Sequence, residues 1–310
     1  MREIKINKQD ADYRLDNYLL KLYPNLTKAS IFRAIRTNKV KVNGRKKKFD
    51  YRLCQGDELK LYINTDIVSS SQKWKLASSD LEVVFEDDNL LVVKKPIQLL
   101  VNDEEDEKVD TLINRAKKYL FTKGKWIPKD DAKFVPCLIH RLDYNTSGLV
   151  MIAKTHEAAV VLSQKIKDRE IDKFYQCLVY GKMPENSQCL EHFWSKGRNG
   201  IVKISADPSK NVKRAVTKYK VIKYDQANDI SLLEIELLTG RTHQIRAHLA
   251  FIGHPLVGEK KYISKKITKR INLKAQALVA YKLVFNFKTP AGNLSYLNGQ
   301  CIELKDTKLM

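Results

Sequence analysis

The stretch from Cys137 to Thr155, CLIHRLDYNTSGLVMIAKT, constrains this chain more than any other. It begins and ends in short apolar runs, Cys137-Leu138-Ile139 and Leu149-Val150-Met151-Ile152-Ala153, with the length and character of buried strands. Between them, His140 to Gly148 form a polar loop whose Asn145, Ser147 and Gly148 favour a turn. The pattern predicts a carboxylate, Asp143, and a cation, Arg141, at the mouth of a rigid sheet. An isolated Asp in such a loop ordinarily caps a turn, and an isolated Arg is ordinarily solvated. The rest of the sequence decides whether this loop carries chemistry.

At 310 residues the chain is long enough for about two domains. Its 57 Lys and Arg against 36 acidic residues give a net charge of +21. That balance favours a polyanionic partner through counterion release and steering, without distinguishing RNA, DNA and an anionic membrane. The N-terminal MREIKINKQDADYR has no apolar core for a signal peptide, and no apolar run approaches the roughly 20 residues that cross a bilayer. These features predict a cytoplasmic protein with no membrane partner.

The five cysteines are scattered without a C-x-x-C pair, which suggests neither zinc nor disulfides; Cys137 and Cys177 read as small core residues. His243 and His248 are a poor metal pair, because five helical residues turn roughly 140°. Neither a G-x-x-x-x-G-K-S/T loop nor a G-x-G-x-x-G after a strand occurs, so no cofactor is expected.

Residues 12–63 read as two helices and a hairpin. Leu15, Tyr18, Leu19 and Leu22 recur at helical spacing, and Pro24 and Asn25 break the pattern. Thr27 offers an N-cap to a second helix holding Ile31, Arg33, Ile35 and Arg36. Val40-Lys41-Val42 alternates into the turn Asn43-Gly44, and Leu59, Leu61 and Ile63 alternate again. Residues 64–80, rich in Ser and Lys, are the expected linker, which makes 81–310 the second domain.

In the second domain, Glu82 to Phe85 and Leu90 to Val93 predict a hairpin stopped by Pro96, and Val109 to Leu120 has helical spacing. His156 to Lys167 predicts an amphipathic helix with Ala159, Val160, Leu162, Ser163 and Ile166 toward the sheet. Lys173 to Gly181 is a strand that places Tyr175, Cys177 and Val179 on one face. Residues 196–213 read as a basic loop region, and Ala215 to Tyr224 and Ser231 to Leu237 as two strands. Thr239 can cap a helix with the stripe Ile245, Leu249 and Ile252 and with Arg246 at its edge; Ala277 to Phe287 reads as a last strand.

Three of these stretches carry a resemblance. His140-Arg141-Leu142-Asp143, followed by Thr146-Ser147-Gly148, resembles the signature loop of the RluA-type pseudouridine synthases. Lys173-Phe174-Tyr175, with Leu178-Val179 and Gly181, is similar to the family's second motif, and Thr239 to Arg246 to its third. Gly253 to Gly258 continues the likeness. The chain departs from the pattern at Gln98, where glycine is expected, and at Asn102-Asp103, where His-Pro is expected. Val279 replaces a frequent histidine. Residues 12–63 resemble the RNA-binding module named after ribosomal protein S-four, through Arg14-Leu15-Asp16, Lys28-Ala29-Ser30, Val40 to Gly44 and Tyr51-Arg52-Leu53.

The resemblance implies an α+β fold: the small RNA-binding domain, then a mixed, mainly antiparallel sheet flanked by helices and loops. It implies isomerisation of uridine to pseudouridine in structured RNA by a monomer, with large-subunit ribosomal RNA as substrate and transfer RNA as the alternative. Asp143 becomes the nucleophile or base, Arg246 its partner favouring the charged form, and Tyr175 the stacking residue and general base. Arg141, His140, Arg241, Lys28, Arg33, Arg36 and Lys41 become RNA contacts. Two other readings compete. A catalytically inactive RNA-binding or ribosome-assembly factor would not need Asp143, Tyr175 and Arg246 together. A glycoside hydrolase would ordinarily need a second carboxylate, and none accompanies Asp143 in its loop.

Overall fold

The computed structural model describes residues 2–8, 10–23, 28–62, 70–102, 109–128, 134–197, 200–208, 211–263, 273–307 and 309. The chain divides into two compact units, Met1–Leu76 and Ala77–Met310.

The small unit holds β1 (Arg2–Lys5), α1 (Leu15–Leu22), α2 (Lys28–Arg36), β2 (Val40–Val42) and β3 (Glu58–Leu61), with sheet order β1-β3-β2. Leu15, Leu19, Ile31, Ile35, Val40, Val42, Leu59 and Leu61 close its core. Strand β1 lies ahead of residue 12 and pairs with β3, Ile4 opposite Leu59, so this unit begins earlier than the sequence pattern suggested. The Asn43-Gly44 turn closes only a single bridge, Val42 to Arg45. Strand β2 instead pairs with β3 across a longer loop. The Asp57 carboxylate ties that loop down, accepting from Asn43 Nδ2 at 2.7 Å, Cys54 N–H at 2.9 Å and Tyr51 Oη at 3.1 Å. Pro24, Asn25 and the expected cap Thr27 lie outside the described residues. The expected linker contains a 3-10 turn, Ser70–Leu76.

The large unit runs through β4 (Glu82–Glu86), β5 (Leu90–Lys95), α3 (Leu112–Thr122), β6 (Cys137–Leu138), β7 (Ser147–Ala153), α4 (His156–Lys167), β8 (Ile171–Tyr180), β9 (Ser187–Lys196) and β10 (Val202–Ser205). It continues through β11 (Lys213–Asp225), β12 (Ile230–Leu237), α5 (Gln244–Phe251), β13 (Leu278–Phe285) and β14 (Cys301–Glu303). These strands form one sheet in the order β10-β9-β11-β12-β8-β13-β7-β5-β4, with β14 on β13 and β6 on β7. Among the described strand pairs only β7 with β13 is parallel, beside the isolated parallel bridge Leu100 to Thr111. Strand β13 is therefore the seam between an early half, β4 to β7, and a later half, β8 to β12.

At that seam Ala280 lies opposite Gly148. Gly148 has φ +119°, and a side-chain carbon there would overlap the Ala280 carbonyl; only glycine allows the two strands this approach. Leu149, Met151, Val92, Leu162, Val279 and Phe285 build the core around it. Thr111 and Thr155 cap α3 and α4 by accepting from Asn114 N–H and Ala158 N–H.

Several expectations are corrected. The inward face of α4 is Ala158, Leu162 and Lys165, whereas Val160 and Ser163 are exposed. The helix is turned because the Lys165 ammonium is buried against Glu170, at 2.6 Å. The basic region 196–213 contains the β9/β10 hairpin rather than loop alone, with Arg198 and Lys210 outside the described residues. Strand β13 is followed by β14, so it is not the last strand. Lead-in strand β6 is two residues long and only half-buried.

Candidate active site

Asp143 sits in the loop between β6 and β7, which turns tightly as Thr146 N–H donates to Asp143 O at 3.0 Å. The next layer holds that loop in place. The ammonium of Lys95, a residue with no solvent exposure at the end of β5, donates to Pro96 O at 2.8 Å, Leu99 O at 2.9 Å and Tyr144 O at 3.1 Å. Burial pulls the Lys95 pKa down to about 7, against the opposing pull of Asp143. Gln98 N–H donates to Tyr144 O at 2.8 Å. Gln98 adopts φ +61°, the left-handed backbone that glycine takes without penalty, at a cost of about 1–2 kcal/mol. The loop follows the glycine-like path although the residue differs. Of the departing pair at 102–103, Asn102 is exposed and Asp103 lies outside the described residues.

Arg246 reaches the same place from α5. Thr239 does not cap this helix: His243 occupies the N-cap position, without a side-chain cap bond and with φ +53°. The Thr239 hydroxyl instead donates to Gln244 Oε1 at 2.7 Å and accepts Val216 N–H at 2.9 Å. Gln244 Nε2 in turn donates to Val216 O and Thr217 Oγ1, both at 3.0 Å, which bolts the first turn of α5 to β11.

From that turn the Arg246 guanidinium forks. Nε and Nη2 donate to Glu259 at 2.8 and 2.9 Å, and Nη1 donates to Asp143 Oδ2 at 3.2 Å. Glu259 is 1% exposed, and its Oε1 also accepts Lys260 N–H at 2.9 Å and Lys261 N–H at 2.8 Å. Burial would raise the Glu259 carboxyl, but Arg246 and these amides hold it below the usual carboxylate value. The Asp143 side chain is about a quarter exposed. Arg246 thus holds Oδ2, and no hydrogen bond from the described residues reaches Oδ1.

Tyr175, on β8 opposite Ala280 and Ile235, is 6% exposed. Burial, and then the negative charge of nearby Asp143, push its pKa well up, so it is a neutral phenol at ordinary pH. The fold thus brings Asp143, Arg246 and Tyr175 together from a loop, a helix and a strand. Leu178 and Ile245 are buried as apolar residues.

The expected RNA contacts divide. Arg141 and Arg241 are exposed on the large unit. His140 Nε2 accepts Met151 N–H at 3.2 Å, and burial lowers its pKa to about 3, with Lys173 adding to the fall. Its ring is pinned to β7 through Nε2. On the small unit Arg36 is exposed and Arg33 half-buried, and Lys41 lies 5.7 Å above the Tyr62 ring. The side chain of Lys28 lies outside the described residues. His243 and His248 do not converge, since His248 meets His192 at 2.7 Å and Thr217 at 2.9 Å; no group of three metal-ligating residues occurs among the described residues.

Lys95 and Glu259 were not legible as site residues. Lys95 follows Lys94 and Glu259 precedes Lys260 and Lys261, so each read as one more surface charge; only the position of Lys95 at the end of an apolar run hinted at burial.

Comparison with known proteins agrees with this geometry. The RNA pseudouridylate synthase family matches residues 89–251, and the S4 domain matches residues 14–59. A protein named ribosomal large subunit pseudouridine synthase C in Rickettsia bellii is 33% identical over 286 residues, covering 88% of this chain and 91% of its own. An RNA pseudouridine synthase of Mycoplasma genitalium, itself uncharacterized, is 32% identical over 289 residues, covering 90% and 88%. The solved human RNA pseudouridylate synthase domain containing 1 shares the fold, with TM-score 0.56 and 24% identity over 74% of this chain and 84% of that one. With its S4 domain ahead of a sheet that gathers Asp143, Tyr175 and Arg246, the chain belongs to the RNA pseudouridylate synthase family.

Proposed function

We propose that this enzyme isomerises specific uridines of large-subunit ribosomal RNA, with Asp143 as the nucleophile or base. The observation that carries the assignment is the fork of Arg246, which fixes Oδ2 of the partly exposed Asp143 carboxylate. The reaction breaks the bond from the ribose carbon to the ring nitrogen, turns the base, bonds the ribose carbon to a ring carbon, and exchanges the proton lost from that carbon, through solvent, for one gained by the freed nitrogen. Atoms balance without an oxidant, a reductant or a phosphate donor.

Tyr175 stacks on the base, and as a neutral phenol it can both donate and accept a hydrogen bond. It acts as the general base for the final proton loss, directly or through water. The target uridine lies in folded RNA and must be flipped out to reach the pocket; exposed Arg141, beside Asp143, is placed to fill the vacated stack. The ribosomal substrate is supported by the name of the Rickettsia bellii relative and by the S4 domain.

Asp143→Asn should abolish pseudouridine formation while leaving RNA affinity within about twofold, because the amide keeps the shape of the side chain. Retained turnover would remove Asp143 from the chemistry. Mapping pseudouridines in large-subunit and transfer RNA from cells with and without the protein decides the substrate: losses confined to transfer RNA would replace the ribosomal assignment.

A further inference from the structure

His243 stands beside Asp143 with no part yet assigned to it. It occupies the left-handed backbone at the start of α5, which strains a non-glycine residue, and its side chain does not cap the helix. Its ring is aimed elsewhere: Nδ1 lies 2.7 Å from Tyr262 Oη, and Nε2 lies 3.8 Å from Asp143 Oδ2.

The tautomer follows from the neighbours. Tyr262 Oη accepts the backbone N–H of Val202, the first residue of β10, at 3.2 Å, so its own proton is available to His243. Burial raises the Tyr262 pKa, which keeps that proton in place. Burial also lowers the His243 pKa, outweighing the upward pull of Asp143, and the ring is neutral. A neutral imidazole that accepts at Nδ1 must carry its hydrogen on Nε2, and that nitrogen faces Asp143.

We propose that His243 is a positioning residue for the reaction, with its Nε2–H closing onto Oδ2 of Asp143 when the flipped nucleotide enters, and with Val202 and Tyr262 setting the tautomer that allows this. The gap of 3.8 Å is about 1 Å longer than a hydrogen bond, a distance that binding a substrate commonly removes. Two donors, Arg246 Nη1 and His243 Nε2, then occupy Oδ2 and commit Oδ1 to the nucleoside. This inference rests on the proposed role of Asp143.

The test uses the full chain and a large-subunit ribosomal RNA transcript, with single-turnover pseudouridine formation and RNA affinity measured separately. Tyr262→Phe removes only a hydroxyl, and His243→Asn keeps a residue that tolerates the left-handed backbone. Each variant should slow the single-turnover step about tenfold with RNA affinity within twofold. The double variant should be no slower than His243→Asn alone, because Tyr262 acts only through His243. Tyr262→Phe at the wild-type rate, losses that multiply in the double variant, or losses appearing in affinity alone would each overturn the relay. An Asp143→Asn protein that remains active would instead overturn the role of Asp143, so the two failures are told apart.

Discussion

Arg246 serves two carboxylates, and the buried one governs what it can do for the other. Glu259 satisfies two of the guanidinium nitrogens and two backbone amides inside the protein, which fixes the plane from which the third nitrogen reaches Asp143. Removing one partner of such a pair strands a buried charge, at about 3–5 kcal/mol. Glu259→Gln should therefore lower unfolding stability by about that amount in a denaturant titration. It should also slow turnover more than tenfold even where the protein remains folded, because Arg246 loses its plane. A variant with wild-type rate and stability would show that Arg246 is oriented by α5 alone. Asp143, Tyr175 and Arg246 were legible because each falls in a stretch whose residue types and spacing are unusual together. Glu259 and Lys95 were not, since their roles depend on which neighbouring charge folds inward, and that is settled by carbonyls and amides contributed from other segments.

At the scale of elements, helix α4 shows what periodicity reads well and what it misses. Its limits, His156 to Lys167, follow from the Thr155 cap and the apolar spacing, but its rotation does not. A pattern that counts lysine as outward turns the helix toward Val160, whereas the protein buries Lys165 to meet Glu170 and Thr289. The Glu170 carboxyl, facing the Lys165 ammonium and the amides of Lys288 and Thr289, has its pKa depressed from 4.5 to about 2. A depressed acid stabilises the fold fully above its ordinary value and loses that contribution as pH falls through the folded value. The melting temperature should therefore decline between about pH 4.5 and pH 2, and a Glu170→Gln protein should start lower and change less over that interval. Equal slopes for the two proteins would mean that other carboxylates carry the acid sensitivity. The β9/β10 hairpin is hidden in the sequence for a related reason: its charged residues, Lys196 and Lys203 among them, mask the alternation of two paired strands.

At the scale of the molecule, a charge of +21 is shared between two compact units, and the S4 domain carries part of it on α2 and β2. If Arg33, Arg36 and Lys41 meet phosphates, replacing all three with Gln should flatten the dependence of log affinity on log salt by about 0.7–0.9 for each phosphate no longer neutralised, while single-turnover chemistry at saturating RNA stays unchanged. An unaltered slope would place these residues off the RNA-facing surface. The fold class was legible here because motifs and alternation agree along most of the chain, whereas the order of strands was not, since pairing is decided between segments far apart in sequence. The seam at β13 has its own consequence for timing. A nascent chain displays the Asp143 loop and the Tyr175 strand long before residue 278 leaves the ribosome, yet the slot between their two half-sheets stays unfilled until then. The Asp143 loop and the Tyr175 strand are thus joined within one sheet only through that strand, which pairs with β7 on one side and β8 on the other.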